Sequence, residues 1–184
     1  MALEREVKIV RTFNAPRALV WQAWTNPTYV AQWWGPRGFT NPVCEWDARP
    51  GGRIHVVMRA SDEIATMIGR ADHPMTGEFT EVVPTERLAF VSTAVDDSGK
   101  PLLDALTTVR LSERDGKTDM VLHACAKGFV EIAARMLEGM EAGWTQSIDK
   151  LGELVSGNAA TPEFTLSRIL NVPRTLRALI PFRR

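Results

Sequence analysis

Apolar and polar positions alternate with period two through Glu6–Phe13, where Val7, Ile9 and Arg11 oppose Lys8, Val10 and Thr12; this is a strand pattern. Asn14 and Pro16 then suit a helix start. Leu19, Val20, Ala23 and Trp24 share one face of a helix over 16–25, which Asn26-Pro27 breaks. A second short helix over 27–34 carries Tyr29, Val30, Trp33 and Trp34, and Gly35-Pro36 stops it. From Phe39 the period returns to two. Strands are predicted over 43–50, 52–60, 75–84, 87–95, 102–113 and 117–128, with turn-forming clusters between most of them. Residues 61–74 hold no clear period and read as a loop with a frayed strand. Over 129–156 the period lengthens: Ala133, Leu137, Met140, Trp144, Ile148, Leu151 and Val155 recur at helical spacing, and Ser156-Gly157-Asn158 closes the helix. Gly139 and Gly143 sit beside this stripe. A glycine costs roughly 1 kcal/mol in a helix interior, so this pair predicts close approach of another backbone or a bound molecule.

These elements define an α+β fold. A seven-stranded curved antiparallel sheet wraps around a long C-terminal helix, and two short helices after the first strand plug one end. Four of the six tryptophans, Trp21, Trp24, Trp33 and Trp34, fall within 21–36. Each buries on the order of 200 Å², which a short helix cannot hide alone. Trp21 and Trp24 are expected in the core, with Trp33 and Trp34 nearer the mouth of a pocket.

Composition narrows the function classes. The 184 residues suffice for one domain with a substantial core. Lys+Arg and Asp+Glu balance at 22 each, yet five arginines follow Glu163, so the body before it is net acidic and unsuited to nucleic acid. The charged N-terminus lacks the apolar core of an export signal, and no run approaches the roughly 18 apolar residues of a membrane span. A cytoplasmic location follows as the expectation. Cys44 and Cys125, both in apolar strand-like runs, read as small buried hydrophobes in a reducing compartment.

The last segment repeats the first. EVKIVRTFNAPRAL (6–19) and EFTLSRILNVPRTL (163–176) share Glu, Arg, Asn, Pro, Arg and Leu in register, and the match stops before a second tryptophan stretch. The expected organisation is a domain over 1–157, a linker over 158–162 and the truncated start of a second copy over 163–184. Its strand, over 164–172, is expected to pair on a sheet edge or with another chain, giving a homodimer through the tail.

Signatures of chemistry are sparse. His55, His73 and His123 show no ligand spacing and there is no CxxC, so no metal site and no cofactor is assigned. No GxSxG nucleophile motif is present, and the GPRG and PGG segments read as turns. Glu45 and Asp47 share the outward face of a strand opposite Trp46, with Arg49 and Arg53 near enough to pair with them. No catalytic residue is assigned. The large or adaptable side chains on elements that should face the interior are Trp34, Phe39, Met58, Phe79, Phe90, Met136, Met140 and Trp144. They either fill the core or line a ligand cavity. His55 and His123 are either satisfied core or rim histidines or the polar groups that orient a ligand there.

The ordered set FNAPRALVWQAWTNPTYVAQWWGP, DARPGG, GEFTEVVPTERLAFVS and EAGWTQSIDKLGELV resembles the bacterial branch of the heat-shock protein 90 ATPase activator (AHSA-type) family. That family lies in the START/birch-pollen-allergen-like (SRPBCC) superfamily. The resemblance spans 6–156 and implies a helix-grip fold with a deep apolar cavity between sheet and long helix, without a shared catalytic apparatus. The leading expectation is therefore a non-catalytic module for a small apolar or aromatic ligand. The alternatives are a chaperone-interacting or stress-response module, and a cyclase- or hydrolase-like enzyme using the cavity. The separate chaperone-binding part of the eukaryotic activator has no counterpart in these residues.

Overall fold

The computed structural model describes residues 3–159. In chain order the elements are β1 (Leu3–Phe13), α1 (Arg17–Thr25), α2 (Pro27–Trp33), β2 (Phe39–Trp46), β3 (Arg53–Ala60) and α3 (Asp62–Ile68). They continue with β4 (Asp72–Val83), β5 (Arg87–Val95), β6 (Pro101–Arg114), β7 (Lys117–Gly128), α4 (Ala133–Glu138) and α5 (Met140–Ala159). The strands form one antiparallel sheet in the order β1-β7-β6-β5-β4-β3-β2. Strands β2 to β7 meander, and β1 returns to pair with β7, Leu3 opposite Gly128 and Phe13 opposite Thr118. Bulges at Thr40/Val43, Phe79/Glu81 and Ala94/Val95 add local twist and curl the sheet. This is the α+β helix-grip architecture that the element order predicts.

The concave face holds the core. Phe13, Leu88, Phe90, Val109, Leu111, Met120 and Leu122 of the sheet form one buried cluster with Ile148, Leu151 and Val155 of α5. The helix is tied to β1 by the Arg11–Asp149 ion pair at 2.7 Å and lies close enough that Gly152 faces the Phe13 ring. Pro16, rather than Asn14, takes the N-cap of α1, and the Arg17 N–H donates to the Glu113 carboxylate at 2.6 Å. No helix among the described residues is long and apolar enough to cross a membrane.

Three local expectations are corrected. Residues 61–74 are not a loop: Ser61 caps α3 through the Ile64 N–H at 3.4 Å, left-handed Gly69 ends the helix, and β4 already begins at Asp72. None of the α3 residues is buried, so no apolar period marks the helix. The long helix is two: α4 ends at Glu138, Gly139 caps it, and α5 starts at Met140. Finally, α5 runs through Ser156-Gly157-Asn158 to Ala159 instead of stopping there. The repeat of 163–184, its expected strand, the homodimer contact and the linker beyond Ala159 lie outside the described residues.

Candidate functional site

The tryptophan stretch builds the floor of the concave face. Four successive carbonyls at the end of α1 each accept a hydrogen bond: Trp21 from the Thr25 hydroxyl, Gln22 from the Asn26 N–H, Ala23 from the Trp33 indole and Trp24 from the Trp46 indole, all at 2.8–2.9 Å. Helix ends leave carbonyls without partners; here two indole N–H groups from other elements supply them. The rings then interlock. Trp24–Trp33, Trp34–Trp46 and Trp46–Phe79 have centroids 4.6, 4.9 and 5.3 Å apart, and Phe90 closes on Trp46 at 5.4 Å. Trp24 and Trp33 are fully buried, whereas Trp21 is half-buried. This corrects the expectation that Trp33 lies nearer a mouth than Trp21.

Strand register divides the concave face by side-chain size. One rung across β4, β5, β6 and β7 holds Phe79, Phe90, Thr107 and Ala124, and its large rings join the aromatic cluster. The next rung holds Gly77, Ser92, Ala105 and Ala126, none larger than serine. The β1 residue ending this second rung, Arg5, bonds Glu141 at 3.1 Å. At its β1 end the small rung therefore lies beside the first turn of α5, whose Met140 and Trp144 pack against the aromatic cluster, Trp144 with its ring centroid 5.3 Å from that of Trp34. Gly77 is required by close approach: a Cβ there would meet the Val91 carbonyl oxygen at 2.2 Å.

Inward-facing side chains that still meet solvent mark where the helices leave this face uncovered. They include Cys44, Met58, Ala94, Leu103 and Ala105 on the sheet, and the half-buried Met140 and Trp144 stand at the same edge. Gly143 borders open space, with nothing within 4 Å of a built Cβ, and Gly139 would meet only carbonyls of its own helix. Gly139 therefore ends α4, Gly143 lies within α5, and neither meets the second backbone that was one of the two expectations for the pair.

Of the residues expected to line a cavity, Trp34, Phe79 and Phe90 are buried in the aromatic cluster. Met58, Met140 and Trp144 lie at its edge, and Met136 is half-buried on α4. Phe39 stands edge-on to His73, centroids 5.5 Å apart. The two histidines proposed as polar anchors are corrected: both face away from the core. On β3, Ile54 and Val56 point inward and His55 between them points out, with Nδ1 3.8 Å from Glu45. On β7, Leu122 and Ala124 point inward and His123 points out, bonding Glu6 at 2.6 Å. Both carboxylates are exposed, so neither pair is the buried acid–base pair that an enzyme reading requires. Cys125 is exposed on the same outer face, correcting its expected burial, while Cys44 is half-buried and burial pushes its thiol up to about 11. The salt bridges Arg49–Asp47 and Arg53–Glu45 form on the outer face opposite buried Trp46, as the alternation predicts.

The histidine on the concave face is His73. Its register partner Met58 and its neighbour in parity, Met75, both point inward. Its Nε2 lies 3.3 Å from the Arg70 carbonyl oxygen. Burial holds its imidazole below the ordinary value of 6.5, against the raising effect of that bond, so it is neutral near pH 7. The only signal for it in the sequence is the alternation His73, Met75, Gly77, Phe79, visible once β4 is begun at Asp72.

Known proteins share this architecture. The family described as activator of Hsp90 ATPase homolog 1-like protein matches residues 14–156. Protein CV1439 from Chromobacterium violaceum is 30% identical, with 82% of this chain and 96% of that one covered at a TM-score of 0.66. NE0264 from Nitrosomonas europaea is 26% identical over 85% of this chain and 97% of its own, at 0.62. The AHSA1 protein SPO3351 from Silicibacter pomeroyi, 20% identical over 83% and 99% of the two chains at 0.66, shares the fold. No curated protein matches.

Proposed function

The chain belongs to the family of activator of Hsp90 ATPase homolog 1-like proteins, and from that premise we propose that it is a non-catalytic module holding a small apolar or aromatic molecule under the first turns of α5. Membership supports a hydrophobic-ligand-binding or Hsp90 ATPase activator-like domain. The observation that carries the finer reading is the rung of small side chains, Gly77, Ser92, Ala105 and Ala126, which ends at Arg5 beside the first turn of α5. A ligand burying about 200 Å² of apolar surface there gains about 5 kcal/mol before ordering costs. Methionines Met58, Met75 and Met140 around the rung adapt to irregular shapes. Neutral His73 and the Ser92 hydroxyl are the polar groups available to orient a ligand.

The test is a thermal-shift and tryptophan-fluorescence screen of fatty acids, sterols and aromatic acids. Ligand-dependent stabilisation that disappears in Ala105→Phe, a variant that fills the rung, is the expected outcome. A screen without any stabilising ligand, together with an Ala105→Phe protein destabilised as an overpacked core would be, refutes the reading.

A second reading, a surface that engages a chaperone, is favoured by the exposed apolar residues of the outer sheet face: Val10, Val91 and Leu106 are 66, 43 and 48% exposed. An Hsp90-type ATPase whose rate is unchanged by saturating protein excludes it.

A further inference from the structure

The outer sheet face brings together three donors that are far apart in sequence. Glu6 of β1 stands directly opposite Cys125 of β7, and Lys8 opposite His123, so the β1–β7 register sets Glu6, His123 and Cys125 side by side. Glu6 Oε1 lies 2.6 Å and Cys125 Sγ 3.7 Å from the same atom, His123 Nε2. One donor atom from each residue falls within 4.8 Å of the other two.

We propose that Glu6, His123 and Cys125 form a binding site for a zinc-class divalent cation, independent of the ligand region on the concave face. Convergence on one nitrogen is what separates this arrangement from a proton relay. A nucleophile–base–acid triad uses the two ring nitrogens for different partners; here carboxylate and thiol both address Nε2. A carboxylate oxygen, an imidazole nitrogen and a thiolate suit zinc, whose bonds to them run about 2.0–2.3 Å. That puts tetrahedral ligand atoms about 3.3–3.8 Å apart, so the cluster needs only side-chain rotation. The inner rungs hold the strands in place, with Val7, Leu122 and Ala124 packed on the concave side.

Charge is consistent with this assignment. Lys8 and Arg110 line the neighbouring hollow of about 420 Å³ together with Glu6 and His123. A glutamate and a thiolate cancel the charge of a dication, so these two cations face a neutral complex. A second hollow, of about 770 Å³, reaches Glu6 and Cys125 from the other side and includes Val91 and Leu106. With three protein donors, the fourth position is left to water or to a donor group in that hollow, the pattern of an open rather than a closed zinc site.

The full-length protein is titrated with zinc against a chromophoric chelator, and with cobalt as a spectroscopic probe. The expected result is one equivalent bound, a thiolate-to-cobalt charge-transfer band, and loss of that band in Cys125→Ser. His123→Ala and Glu6→Gln are expected to weaken zinc at least about tenfold. All three side chains stand on the outer face, so far-UV circular dichroism and melting temperature of the metal-free variants should match the parent. Bound zinc should also slow alkylation of Cys125, while the slower alkylation of half-buried Cys44 should be the same with or without metal. Absence of saturable binding at sub-millimolar zinc, or binding unchanged in the Cys125→Ser/His123→Ala double variant, overturns the proposal.

Discussion

Two halves of one concave surface, built from the same strands, differ in what fills them. Beneath α1 and α2, Trp24, Trp33, Trp46, Phe79 and Phe90 interlock and exclude solvent. One rung further along, Gly77, Ser92, Ala105 and Ala126 carry no ring, and the rung ends at Arg5 beside the start of α5. The filled half carries the stability. The sparse half gives up part of the packing that a continuous aromatic core would supply, which is the arrangement a binding region needs.

The largest effect should come from emptying the filled half. Trp33→Ala removes a buried ring and leaves the Ala23 carbonyl without its indole donor; a loss of about 3–5 kcal/mol in chemical denaturation is expected. A loss below about 1 kcal/mol would mean that the interlocked rings are not the stabilising half. Filling experiments come next, because they sharpen the contrast directly. Ala124→Leu, in the rung of the aromatic rings, should cost about 1–3 kcal/mol by overpacking. Ala105→Leu, one rung along, should change stability by less than about 1 kcal/mol and reduce ligand binding. Equal costs at the two positions would erase the distinction.

Acid should act on the sparse half through His73. Burial holds its folded-state imidazole below the ordinary value of 6.5, so below that pH the unfolded chain binds more protons than the native one. The contribution is complete above about pH 6.5 and is lost as pH falls through that value and below it. Melting temperature measured from pH 8 to 5 should fall less steeply for His73→Asn than for the parent; identical slopes would place the imidazole in water. The smallest effect is expected from Gly143→Ala. With open space around the position, it should raise stability by up to about 1 kcal/mol through helix propensity. If ligand affinity falls in that variant while stability rises, the open flank of α5 belongs to the binding region.

Much of the architecture is legible in the chain because its signals are local. Period-two stretches bounded by turn residues placed the strands, and the stripe from Ala133 to Val155 placed the terminal helices. The failures also have local causes. An exposed α3 has no apolar face to announce it. Gly139 splits the terminal helix without interrupting the stripe. The site was harder to read than the fold. In 120–125, Met120, Leu122 and Ala124 face in while Val121, His123 and Cys125 face out. Apolar residues stand on both faces, so alternation alone does not say which set is inside, and His123 was expected in the interior.

The sequence by itself determined the strands, the two short helices after the first of them, their order and the aromatic content of the core, since periodicity, turn chemistry and residue size act within a few residues. Tertiary structure decided what faces what. Pairing β1 with β7 across more than a hundred residues set the parity of both strands, carried His123 and Cys125 to the outer surface beside Glu6, and ended the small rung at Arg5 under α5. A one-residue change of register exchanges the faces of a strand. The side that becomes a site is therefore fixed only by pairing between residues distant in the chain, and no local pattern contains that choice.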